Sequence, residues 1–165
     1  MDISLAPAVR YSGAGAISDD RTDGRSRRCE AHMFYSPGLE QLDPALLAFV
    51  KCHVTSPVKW EVLRVLASQD GTWLRADQLA RRCHRGTAEI TAAVTELAND
   101  GVVEVVLAGL PDDPSYRLPA GEPTSVVLHR LIEAATRSLE LRAIIAAHLQ
   151  RVRQQEQTLR RTAAA

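Results

Sequence analysis

The chain has 165 residues, 45% hydrophobic and 24% charged, the make-up of one globular domain with appendages. Twenty Lys and Arg balance twenty Asp and Glu, so the molecule as a whole exerts no general pull on polyanions. No apolar run reaches the ~18 residues a membrane span needs, and three cysteines, an odd number, do not make a closed disulfide framework. The opening MDISLAPAVR has no basic stretch leading into an apolar one. The expectation is a cytoplasmic protein with reduced thiols and no membrane partner.

Residues 1–32 form an arm rich in Gly, Ser, Asp and Arg, with too few apolar residues to bury, and are expected to be disordered. Apolar spacing begins at Met33, itself a candidate translation start. Residues 33–55 carry an N-terminal helix over 42–54. Asp43 is its N-cap, Pro44 its first position, and Leu46, Leu47, Phe49 and Val50 its buried stripe. The next helix opens at SPVKWEVLRVLAS, with Ser56 as cap and Val58, Val62, Leu63, Val65 and Leu66 facing inward. Asp70-Gly71 stops it. A short helix over 76–83 and a second over 87–99 follow, the latter closed by Gly101. Residues 102–108 and 115–118 read as two strands joined by GLPDDP.

Residues 119–165 read as a long helical stretch broken once. Leu128, Leu131, Ala135, Ile145, Leu149 and Val152 recur at heptad-like spacing, and Ser138 and Arg142 interrupt the seam. This segment holds seven Arg against four Glu, read either as a basic surface for DNA or an acidic partner, or as a solvated helix end.

The order helix, helix, turn, helix, hairpin leads to a family. Residues 56–118 resemble the winged helix-turn-helix domain of bacterial ArsR/MarR-type transcription regulators. SPVKWEVLRVL is similar to their first domain helix. LARRCHRGTAEITAAVTELANDGVV lies without a gap on the helix-turn-helix pattern, from Leu79 and Ala80 through Ile90, Val94 and Leu97 to Gly101 and Val102. The resemblance implies a mainly α fold with a small β-wing, flanked by an N-terminal helix and a long C-terminal helical segment. It also implies a homodimeric, DNA-binding transcription regulator whose partner is double-stranded operator DNA and whose platform is residues 42–54 and 124–153.

Chemically, the second helix of the pair is an unusual reader. Its outward positions are Thr87, Ala88, Thr91, Ala92, Thr95 and Glu96, whereas base edges are read mainly by Arg, Lys, Asn and Gln. Residues 56–118 hold seven basic and nine acidic residues, net −2, a poor start for phosphate contacts. The compensating feature is local. Arg75, Arg81, Arg82, His84 and Arg85 surround the turn, and with Thr87, Thr91, Thr95 and Arg117 they are the expected DNA-binding residues. The alternative is a protein-docking module whose acidic, alanine-rich face meets a basic partner. The arginines beside the turn decide: turned away, or held by carboxylates, they favour docking.

Other chemistry is thin. The pairs Cys29/His32, Cys52/His53 and Cys83/His84 lack zinc-site spacing. His129 and Glu133, four apart, with His148 further along, resemble the ligand helix of some metal sensors but read better as a surface pair. No cofactor or metal is expected. Trp60 and Trp73 read as core. The chain has no Gly-rich phosphate loop, nucleophile elbow or His-Glu-x-x-His, so an enzyme is not expected. A small-effector pocket between the terminal helices and the winged domain fits either reading.

Overall fold

A computed structural model describes residues 38–69, 71–107 and 114–163. The arm, Met33, Cys29, His32 and the wing-tip residues Asp112 and Asp113 fall outside these. A 3-10 turn at Leu39–Gln41 leads into α1 (Pro44–His53) and α2 (Pro57–Ala67), then β1 (Leu74–Arg75), α3 (Ala76–Cys83) and α4 (Thr87–Asn99). The wing strands β2 (Glu104–Leu107) and β3 (Pro114–Arg117) follow, then α5 (Pro123–Arg137) and α6 (Leu139–Ala163).

The local signals act as their chemistry requires. Asp43 accepts from the Ala45 N–H at 2.9 Å, and Ser56 accepts from the Lys59 N–H at 3.1 Å. Each satisfies an orphan donor at the start of a helix that begins with Pro. Gly101 takes φ 71° after α4, and the Val102 N–H reaches back to the Leu97 carbonyl at 2.9 Å. That bond turns the chain, so Val102 and Val103 are buried before the strand begins at Glu104.

The sheet is three-stranded and antiparallel in the order β1-β3-β2. Tyr116 is flanked by Leu74 on one side and Val105 on the other. The strand at β1 was not expected, since two residues carry no alternation to read. α2 packs on both α3 and α4, while α1 packs on α5, and α5 joins α6 and leans on α2. Leu63, Leu79, Ile90 and Leu97 meet at the centre of the winged part, and Leu128 and Leu131 extend the same core to the terminal helices. The fold is a mainly helical winged helix-turn-helix with helical flanks. No helix among the described residues is long and apolar enough to cross a membrane.

The sequence reading needs four corrections. Trp73 is 37% exposed and lies beneath the Arg117 guanidinium, 4.4 Å from its ring centre, outside the core; Trp60 is only partly buried. Lys59 and His148, polar positions given no inward role, are buried. Val65 and Leu47 are half-buried rather than core. Cys52 is disulfide-bonded rather than a free thiol, while Cys83 is free.

Candidate nucleic-acid interface

The turn between α3 and α4 positions everything around it. His84 ends α3 in the left-handed region, φ 53°, the sole non-Gly residue with positive φ among those described. The Arg85 N–H bonds back to the Ala80 carbonyl at 3.0 Å and the His84 N–H to the Arg81 carbonyl at 3.4 Å. This is a helix stop of the kind glycine usually makes. Short polar or imidazole side chains tolerate that conformation better than branched ones. The stop points α4 across α3 and opens a notch lined by Asp77, Ala80, Arg81, His84, Arg85 and Thr87 at the α4 N-terminus.

The arginines around this notch are not all alike. Arg85 makes a bidentate pair with Glu61 of α2, Nε at 2.9 Å and Nη2 at 3.0 Å, both partners about one-third exposed. Arg81 reaches Asp77 at 2.8 Å, four residues back on the same helix, with its own side chain 71% exposed. Arg75 lies 3.4 Å from the same carboxylate. Arg117 binds Glu104 across the wing at 2.6 Å while covering Trp73. Arg82 is exposed and has no carboxylate partner among the described residues.

Thr87, Ala88, Thr91, Ala92, Thr95 and Glu96 are all exposed, as their helical phase requires. The threonine hydroxyls, however, are engaged: Thr91 Oγ1 donates to the Thr87 carbonyl at 2.9 Å and Thr95 Oγ1 to the Thr91 carbonyl at 2.7 Å. Glu96 is engaged too, with Oε2 lying 2.7 Å from Lys59 Nζ; that ammonium also donates to Thr55 Oγ1 at 3.0 Å. The outer face of α4 therefore carries no cation; Glu96 is paired with Lys59, and Glu89 in the first turn is exposed with no ion pair among the described residues.

Beside it, the wing presents apolar surface. Val105 sits opposite Tyr116 in the ladder, and both Val105 and Leu107 are more than half exposed. Tyr116, by contrast, is buried. On the far side of α2, a cavity of about 410 Å³ separates Trp60 and Arg64 from Ile132, Arg142, Ile145 and Leu149 of the terminal helices.

Sequence reasoning placed the arginine cluster and the outer face of α4. It missed Glu61 and Lys59, the two residues of α2 that set the charge there. The Asp77–Arg81 pair has a readable i,i+4 spacing. Glu61 and Arg85 are 24 apart, and only the crossing of α2 by the turn brings them together.

No family model matches the chain, and no curated protein does. Among solved structures the chain is similar to a MarR family transcription regulator, 18% identical, with a TM-score of 0.42 over 88% of this chain and 96% of that one. The winged-helix assignment rests on the chain's own element order, helix-turn-helix geometry and sheet.

Proposed function

We propose that this protein is a DNA-binding regulator that acts as a homodimer and lays α4 into the major groove of duplex DNA. The observation that carries the reading is the exposed outer face of α4, which opens at its N-terminus onto a notch lined by Arg81, His84 and Arg85, with the exposed Arg82 on the same helix as Arg81. A helix presented this way is what groove insertion needs. Arg82 is ready to contact phosphate. Arg81 is held only by an exposed pair, worth about 0–1 kcal/mol, which a phosphate can replace. Arg85 is held by two bonds and is better placed as the anchor of the turn. The same pairs set a cation beside Asp77, Glu61 and Glu104, so these carboxylates do not face DNA alone, while the net count stays at −2. Arg75, His84, Thr87 and Arg117 sit around the notch and wing as secondary phosphate contacts. Exposed Val126, Leu139 and Leu159 on α5 and α6 supply apolar surface for a second copy.

Fluorescence polarisation on duplex DNA at low salt tests this reading, with light scattering for the dimer. Binding that falls steeply as salt rises supports it. No binding at low salt, or binding indifferent to salt, overturns it.

By the criterion set from the sequence, the carboxylates on Arg75, Arg81 and Arg85 favour a second reading, protein docking. DNA binding stays first only on Arg82, which has no carboxylate partner among the described residues, and on the exposed, replaceable pair of Arg81. Arg75, Arg81, Arg85 and Arg117 are each held by a carboxylate, and the wing offers Val105 and Leu107 in place of basic residues. A protein partner that co-purifies with the chain and survives nuclease treatment favours this reading.

A further inference from the structure

We propose that α4 reads DNA chiefly through the 5-methyl groups of thymine, by apolar contact along its central turns. The inference rests on the DNA-binding reading above and names what the site recognises.

Each base pair shows the major groove a distinct set of donors and acceptors, and thymine adds a methyl group. A reader that uses the hydrogen-bonding pattern must offer free donors or acceptors on its exposed face. At its centre α4 has withdrawn its donors, while Thr87 and Glu89 at its first turn keep polar groups exposed. Thr91 and Thr95 donate their hydroxyl hydrogens to carbonyls one turn back, at 2.9 and 2.7 Å, so neither keeps a donor for a base acceptor in this arrangement. Glu96, which would otherwise accept from the cytosine amino group, is held 2.7 Å from a buried ammonium, that of Lys59. The apolar groups on the outer face are the side chains of Ala88 and Ala92 and the γ-methyls of Thr87, Thr91 and Thr95, beside hydroxyl oxygens that can only accept at Thr91 and Thr95. Alanine and the threonine methyl group are the side-chain groups that suit a thymine methyl. The exposed Val105 and Leu107 add apolar surface of the same kind on the wing.

The test uses the full chain. Sites selected from a random duplex library are resynthesised with uracil in place of each thymine, which removes one methyl and leaves base pairing intact. The expected result is selection of A·T pairs under α4 and a loss of about threefold to fourfold for each thymine methyl that the helix covers. Thr91→Ser and Thr95→Ser keep the hydroxyl and remove the protein's methyl. Each should weaken binding to the thymine duplex and lose discrimination against uracil at one position, while a thermal melt shows the fold unchanged. Sites dominated by G·C under the helix, or equal affinity for thymine and uracil duplexes, overturn the inference and leave the DNA-binding function standing. Failure to bind any duplex overturns both.

Discussion

Lys59 Nζ lies 2.7 Å from Glu96 Oε2, yet the two ends of this pair live in different solvents: the lysine side chain is 8% exposed and the glutamate 62%. A buried ammonium on α2 therefore restrains a wet carboxylate on α4. Such a lysine loses much when its partners go, whereas an exposed carboxylate loses little. Lys59→Ala should destabilise the fold by about 2 kcal/mol through lost stem packing and two charged hydrogen bonds. Glu96→Gln, which still accepts from Nζ, should cost under about 1 kcal/mol. Urea melts of both variants check the ordering; equal effects would show that burial of the lysine is not what matters.

Arg82 and Arg85 should separate binding from stability. Arg82→Ala should leave the melt unchanged, weaken duplex binding alike on every sequence, and reduce the salt slope by roughly 0.9. Arg85→Ala removes both bonds to Glu61 and should lower stability as well as affinity, by on the order of 1 kcal/mol for a partly exposed bidentate pair. A sequence-specific loss on Arg82→Ala would reassign it to base contact.

His148 gives stability a pH dependence. Burial holds its imidazole below the ordinary value, with Arg151 and Lys51 adding to the effect and a backbone hydrogen bond with Val54 opposing it. The folded protein thus binds this proton less readily than the unfolded chain. Its neutral form is accommodated at full stability above the unfolded pKa of about 6.5. As pH falls below that point toward the depressed folded value, the unfolded state takes up protons first and stability declines. Thermal melts between pH 7.5 and 5 should show the decline in the wild type and a shallower one in His148→Leu. Parallel curves would assign the slope to other groups.

The cysteines should differ in reactivity. Burial pushes the Cys83 thiol up, Glu61 adding to the rise and Arg85 opposing it, so at neutral pH it is a poor nucleophile. Cys52 is disulfide-bonded. Iodoacetamide followed by peptide mass analysis should find Cys83 modified slowly and Cys52 only after a reductant. Modification of Cys52 without reductant contradicts this assignment.

The helices of the winged part were legible because their signals are local. Asp43, Ser56 and Gly101 mark ends within a turn of themselves, and the spacing of Leu79, Ile90, Val94 and Leu97 names the buried face of α3 and α4. What escaped depends on partners distant in the chain. Lys59 sits between Val58 and Trp60 and is buried because α4 crosses above it. His148 lies on the buried face of α6, near Val54 at the end of α1. Trp73 has the bulk of a core residue but follows a turn, and the guanidinium of Arg117 covers it. The candidate site was half legible for the same reason: its cations are clustered in sequence, while Glu61, which engages one of them, comes from another helix.

Ser138 alone separates α5 from α6. It takes an extended conformation, φ −112° and ψ 116°, and its hydroxyl accepts from the Leu141 N–H at 3.1 Å, so the residue that ends one helix also starts the next. An elbow this short leaves two torsions, φ and ψ of one serine, to set the angle between two long helices. The direction in which α6 leaves α5 therefore hangs on φ and ψ of Ser138 and on the packing of the two helices against each other.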